Sequence, residues 1–257
     1  MNILSRWLTR FLEAPSAGYK VASTSLPGTL KKYLQPGDVL LVEGDRRISV
    51  AIKYLTQSTW SHAAIYVGDV FQQGGEDPHV LIEADLKAGV IAVPLSNYDH
   101  LHTRICRPHQ LTPQDTQRLI EFVVQRIGYQ YDMQNVFDLA RYLLPTPPVP
   151  VKWRRRMLAL GSGDPTRAIC STLIAQAFQS VGYPILPEIE RQTEGISAQI
   201  EQEIMHIRHY SLFTPRDFDI SPYFEIIKPS LLDGFNYREI NWATHQPASV
   251  PSIESMP

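Results

Sequence analysis

Apolar and polar positions change period several times along this chain, and each change marks an element. After Pro36-Gly37, DVLLVEG (38–44) is an almost unbroken apolar run, read as a strand covered on both faces. RRISVAIKYLTQ (46–57) then shifts to helical spacing at Ile48, Ala51, Ile52 and Leu55. SHAAIYV (61–67), HVLIEA (79–84), GVIAVPL (89–95) and HTRICRP (102–108) follow as an antiparallel run of strands, with a turn at residues 85–89. Thr112-Pro113 opens a helix whose stripe, Leu119, Ile120, Val123, Val124 and Ile127, lasts to Gly128. MQNVFDLARYLL (133–144) reads as a helix stopped by PTPPVPV (145–151), and a further helix runs from Ile169 to about Val181, ending at Gly182 before Pro184.

Residues 188–209 carry many charges and little periodicity, and read as a partly helical surface excursion. The tail from Trp242, rich in Pro and Ser, reads as disordered. At the other end, Ile3, Leu4, Trp7, Leu8, Phe11 and Leu12 recur at helical spacing opposite Arg6 and Arg10. That amphipathic helix has two readings: its stripe docks on the protein's own core, or it lies on a membrane surface. The expectation is an α+β domain over residues 30–228, a small antiparallel sheet or half-barrel packed against helices. It is preceded by an N-terminal helix and linker (1–29) and followed by an extension (229–257). Segments 145–166 and 186–210 are insertions, the first a candidate lid beside the substrate cleft.

Composition changes this picture little. At 257 residues, 44% hydrophobic and 19% charged, the chain can bury a full single core. A net charge of −2 gives no broad basic field, so nucleic acid is not an expected partner. The local cluster Lys152, Arg154, Arg155 and Arg156 reads as a solvated face or as a patch for anionic lipid or an acidic partner. No apolar run approaches the roughly 20 residues that span a bilayer, and no signal-peptide pattern follows Met1. Two cysteines far apart suit a reducing compartment, so a cytoplasmic location, peripheral to the membrane if the first 15 residues bind lipid, is expected. No phosphate-cradling loop, dinucleotide fingerprint or CxxC pair occurs, so no cofactor or metal is expected. The pairs His100/His102 and His206/His209 read as surface histidines, and Asp77, Asp85 and Asp132 as turn or capping residues.

Three side chains carry candidate chemistry. Cys170 stands where a helix would begin, a place whose unpaired amides and positive dipole end favour thiolate over thiol. His62 opens one strand of the hairpin and Glu83 stands near the end of the other. Pairing Val67 with His79 across the turn-rich segment 68–78 puts His62 opposite or nearly opposite Glu83, although a slip of one residue would put them on opposite faces. A thiolate nucleophile, an imidazole proton carrier and a carboxylate orienter form a hydrolytic set. Each residue also has an ordinary reading: a buried cysteine is commonly a small hydrophobe, as Cys106 is read here, a strand-start histidine a satisfied edge residue, and such a glutamate solvated. On the residues alone, both readings stay open.

The order of LQPGDVLLVEG (34–44), TWSHAAIYVGD (59–69), LIEADLKAGVIAVPLSNY (81–98), GYQYD (128–132), ICSTLIAQAF (169–178) and TPRDFDISPYFE (214–225) resembles the permuted papain-like hydrolases of the NlpC superfamily, the YiiX/YaeF-like group. His before Glu before Cys is the order of the permuted branch; in papain the cysteine comes first. The resemblance implies a circularly permuted papain-like fold with Cys170 as nucleophile, His62 as general base and acid, and Glu83 orienting His62. The group often has an acidic residue two places after the cysteine where this chain has Thr172, which bears on substrate contacts rather than on the core chemistry. Tyr66, Tyr131, Ser61 and Thr172 are the candidate substrate contacts. The implied activity is cleavage of a peptide-like amide through an acyl-enzyme. A thiol acyltransferase or lipid esterase at a membrane surface is the second class, since the lecithin retinol acyltransferase group shares the permuted layout. A non-enzymatic binding module on the same fold is the third.

Overall fold

The computed structural model describes residues 10–11, 14–15, 21, 28–85, 87–130, 169–193, 201–206 and 209–239. Its centre is a six-stranded antiparallel sheet in the order β4-β3-β2-β1-β5-β8, formed by β1 (Val39–Glu43), β2 (His62–Tyr66), β3 (His79–Asp85), β4 (Gly89–Pro94), β5 (His102–Pro108) and β8 (Phe224–Ile227). All five residues of β1 are buried, the expected consequence of an apolar run lying between two neighbours under covers on both faces. The strands of residues 61–108 are antiparallel, but not consecutive neighbours throughout: β4 closes one edge and the chain returns to pair β5 with β1, Leu40 opposite Ile105. The sixth strand, β8, extends the other edge by pairing Cys106 with Ile226.

Six helices are seen among the described residues: α1 (Thr29–Tyr33), α2 (Arg47–Thr56), α3 (Pro113–Val124), α4 (Ile169–Ser180), α5 (Pro215–Ile220) and α6 (Pro229–Leu232). α3 begins as its sequence requires, with Pro113 in the first turn and the Thr112 hydroxyl accepting from the Asp115 amide at 3.1 Å. It packs through Leu119 and Val123, both fully buried. α4 is apolar on most of its circumference because it is covered on most of it: Leu173, Ile174, Ala175, Ala177 and Phe178 have no exposure. Phe178 meets Phe224 edge-on with centroids 5.1 Å apart, which ties α4 to β8. The chain then turns out of α4 at Gly182, whose φ of 68° costs a residue without Cβ nothing, and Tyr183 N–H closes onto Phe178 C=O at 2.9 Å.

Two apolar clusters sandwich the sheet. Val39, Leu41, Ala63, Ile65 and Ile82 pack beneath α3 and α4. Leu40, Val42, Ala64, Leu81 and Ile105 pack with Leu30, Leu34 and the 3-10 turn Leu95–Tyr98. Beneath this second cover Asp38, whose side chain is 1% exposed, is held by Arg107 through Nε at 2.9 Å and Nη2 at 2.8 Å.

Residues 188–209 correct an expectation. Where a partly helical excursion was expected, the described residues form β6 (Glu188–Thr193) and β7 (Glu201–His206), paired antiparallel as a two-stranded ribbon, Glu190 opposite Ile204. A ribbon held by its backbone ladder needs no apolar period, so the hydropathy pattern carried no signal of it. The candidate lid (145–166), the helix of residues 133–144 and the tail from Trp242 lie outside the described residues, as does most of the N-terminal helix. Of that helix's end, the Ala14 carbonyl accepts from Arg47 N–H at 3.0 Å, and the Arg47 guanidinium lies 4.4 Å from the Phe11 ring centroid. No helix among the described residues is long and apolar enough to cross a membrane.

Candidate active site

One end of the sheet gathers the candidate residues, because antiparallel pairing brings the start of β2, the end of β1 and the end of β3 together. His62 is the first residue of β2 and stands opposite Val42. Just before it, Ser61 is 2% exposed; its Oγ accepts from the Gly44 amide at 2.9 Å and donates to the Val42 carbonyl at 3.4 Å. Ser61 Oγ thus bonds backbone on both sides, which anchors the strand entry.

The hairpin register differs from the expectation by one residue at the turn. Val67 N–H donates to the Val80 carbonyl, and Ile65 stands opposite Ile82, Tyr66 opposite Leu81. Extending that ladder places Ala64, not His62, opposite Glu83. The displacement from direct pairing is two residues, so His62 and Glu83 keep one face and meet diagonally. The contact is made: His62 Nε2 lies 2.9 Å from Glu83 Oε2. Glu83 itself is 8% exposed.

A buried carboxylate needs further donors, and one comes from a residue the sequence reading did not single out. Tyr98 ends the 3-10 turn Leu95–Tyr98, is buried, and its hydroxyl donates to the same Oε2 of Glu83. Its ring centroid lies 6.1 Å from that of His62. Its only signal in the sequence was its place at the end of the segment LIEADLKAGVIAVPLSNY.

Cys170 enters from the helical layer. It is the second residue of α4 and 5% exposed, and it sits against His62 within side-chain hydrogen-bonding reach. With Nε2 committed to Glu83, Nδ1 is the ring nitrogen left for the sulfur. The next residue fixes the start of the helix: Ser171 Oγ donates to the Phe213 carbonyl at 2.6 Å. Burial of His62 disfavours the imidazolium, yet the charges of Glu83 and Cys170 and their hydrogen bonds outweigh it, so the His62 pKa stands well above that of an ordinary histidine. The arrangement therefore favours the protonated ring of His62.

The remaining candidates are dispersed. Tyr66 is at the far end of β2, four residues or about 13 Å from His62 by strand rise. Its hydroxyl pKa is raised by burial and then by Asp38 and Asp69, so it belongs to the opposite end of the sheet. Thr172 is partly buried two residues after Cys170, which in a helix turns it to the other side. Tyr131 lies outside the described residues. No group of three or more His, Cys, Asp or Glu suited to a metal ion occurs among the described residues; His102 Nδ1 is bonded to Glu43 at 3.0 Å and the His209 ring stacks on Tyr210.

Residues 33–142 match the family described as permuted papain-like amidase enzyme, YaeF/YiiX, C92 family. The match contains His62, Glu83 and Tyr98 and stops before Cys170, whose place beside His62 rests on the fold itself. Among solved structures, the crystal structure of metalloprotein yiiX from Escherichia coli O157:H7 is similar at 16% identity and a TM-score of 0.44, covering 76% of this chain and 96% of that one. No curated protein matches the sequence. With its open antiparallel sheet and packed helices, the chain is thus similar, over residues 33–142, to the permuted papain-like amidases of the YaeF/YiiX family, a family of papain-like cysteine hydrolases.

Proposed function

We propose that the protein cleaves a peptide-like amide through a Cys170 acyl-enzyme, with His62 carrying the proton and Glu83 holding His62. The observation that supports this most strongly is the position of the His62 ring, bonded to Glu83 on one side and against Cys170 on the other. The thiolate attacks the carbonyl carbon, and the negative charge passes to the carbonyl oxygen. The backbone N–H of Cys170, in a helical turn whose amides have no intrahelical acceptor, is the natural donor to that oxygen. As the C–N bond breaks, the His62 imidazolium gives its proton to the leaving nitrogen and the amine departs, leaving a thioester on Cys170. Neutral His62 then takes a proton from water, the hydroxide adds to the thioester carbonyl, and the C–S bond breaks. Acid is released and the thiolate–imidazolium pair returns.

Glu83 serves both halves of this cycle by stabilising the protonated ring and fixing the nitrogen that faces sulfur. Turnover of a panel of peptide amides and acyl phospholipids by the wild type, with Cys170→Ala as the blank, tests the reading. Cys170-dependent hydrolysis of amides is the expected result. Turnover of phospholipids alone would replace the amidase reading with a lipid-acting one, and amide hydrolysis surviving Cys170→Ala would remove the nucleophile assignment.

A further inference from the structure

A groove of about 790 Å3 opens at the same end of the sheet as His62, between β1, β5, α2 and α5. The chain links it to both halves of the proposed catalytic set. Trp60, at its base, precedes His62 by two residues, at most about 7 Å of extended chain. On the other flank, the Phe213 carbonyl that receives Ser171 Oγ leads through the capping box of Thr214 and Asp217 into α5, whose Arg216 and Asp219 line the groove. A molecule seated here lies at the His62 end of the sheet, against the segment that leads into β2 and against α5.

The groove's charges are arranged in pairs with one left over. Glu43 has Lys53 at 3.3 Å and His102 at 3.0 Å. Asp219 is bonded by Arg104, and accepts from the Trp60 indole N–H at 3.0 Å. Arg104 also lies over the Trp60 ring, 4.9 Å from guanidinium carbon to centroid. Both carboxylates are thereby matched by cations. Arg216 is different: it is exposed, donates to the Thr56 carbonyl at 3.3 Å, and has no carboxylate partner among the described residues. Its guanidinium keeps donors for an external anion.

The rim supplies an independent observation. Val50, Tyr54 and Ile220, three of the large apolar side chains that are exposed among the described residues, border this groove, at 38%, 72% and 49% exposure. Apolar side chains left in water around a polar-floored concavity are the usual dress of a ligand site. We infer that this groove is the substrate-recognition subsite of the enzyme and takes an anionic group, a carboxylate or phosphate, on an apolar stem, with Arg216 engaging the anion and Tyr54 and Ile220 the stem. The inference deepens the amidase reading by naming the substrate's chemical class: an amide that carries an acidic, apolar-substituted portion.

Binding to the Cys170→Ala protein, which cannot turn over, separates this claim from the catalytic one. Calorimetry with N-octanoylglycine, octyl phosphate and the neutral N-octanoylglycinamide should show the anions binding at least tenfold more tightly than the amide, and the stronger of the two anions identifies the preferred group. Arg216→Gln in the same background should abolish that preference and Arg216→Lys should keep part of it, while Tyr54→Ser weakens all three ligands together. Circular dichroism checks that each variant is folded. Equal binding of charged and neutral ligands, a preference that survives Arg216→Gln, or no binding at all would each overturn the assignment. The catalytic reading fails by a different result, loss of any difference in turnover between wild type and Cys170→Ala.

Discussion

Replacing Glu83 by Gln probes the electrostatic heart of the site without emptying it. Gln is nearly isosteric, and its side-chain carbonyl can still accept from His62 Nε2, so the 2.9 Å contact is kept while the negative charge is lost. What disappears is the charged character of that hydrogen bond, and bonds to charged groups contribute about 1.5–3 kcal/mol. Glu83 is 8% exposed, so water does little to replace it. If the whole difference falls on the step in which the ring is protonated, kcat/KM drops by roughly 10- to 150-fold. The pH profile carries the sign. Glu83 is one of the causes that raise the His62 pKa, so removing its charge lowers that pKa and moves the alkaline limb of kcat/KM toward lower pH.

The same shift has a stability counterpart. A histidine whose folded pKa is raised contributes stability that is fully present below the unfolded value, about 6.5, and is lost as pH rises through the folded value. Wild type should therefore lose more stability than Glu83→Gln as pH climbs above about 6.5. Initial rates between about pH 5 and 10, together with an NMR titration of the His62 ring, measure both effects. A variant with wild-type kcat/KM and an unmoved alkaline limb would refute the reasoning, because it would mean that the carboxylate neither charges nor orients the ring.

Tyr98→Phe removes one donor from Glu83 Oε2 and should slow turnover by about tenfold, near 1.4 kcal/mol, while urea unfolding shows the fold intact; a rate within twofold of wild type would remove Tyr98 from the set. Arg107→Ala leaves Asp38 buried without its bidentate partner and should cost about 3–5 kcal/mol in denaturant unfolding at neutral pH, with a loss below 1 kcal/mol contradicting the packing described. Gly89→Ala should lower stability by about 1–3 kcal/mol or more, because φ is 77° there and the new Cβ would lie 2.1 Å from the Tyr129 carbonyl oxygen; an unchanged melting temperature would refute it.

The five strands of residues 38–108 were readable because each is either an apolar run or a short β-rich segment bounded by turn residues. Their order was less so: β5 follows β4 in the chain but pairs with β1, a choice made by sheet-wide packing that no local pattern records. β8, with the pattern FEII, is short and half-exposed, and its place at the edge comes from a long-range partner rather than from its own periodicity. The ribbon at 188–206 escaped for the opposite reason, since its ladder is made by backbone groups that all sequences possess.

At the site, residue chemistry selected Cys170, His62 and Glu83, and folding brings them together even though the pairing is diagonal rather than direct. Parity protected the inference: a displacement of two residues preserves the face, where one would have destroyed it. Tyr98 was not legible because its role depends on a turn that carries its hydroxyl back to Glu83. Ser61 and Tyr66 looked like site residues by adjacency and by alternation. The structure spends the first on backbone hydrogen bonds and puts the second at the far end of the strand.

Site-resolved alkylation tests the central claim, that Cys170 and His62 form one reactive unit. The two cysteines are built-in controls: Cys106 is fully buried and burial pushes its thiol well up, so it should stay unlabelled in the folded protein. With iodoacetamide at neutral pH and mass spectrometric readout, Cys170 should label faster than a free thiol, and His62→Ala should slow it by tenfold or more. Cys170 labelling no faster than free cysteine, or at the same rate with and without His62, would contradict the account.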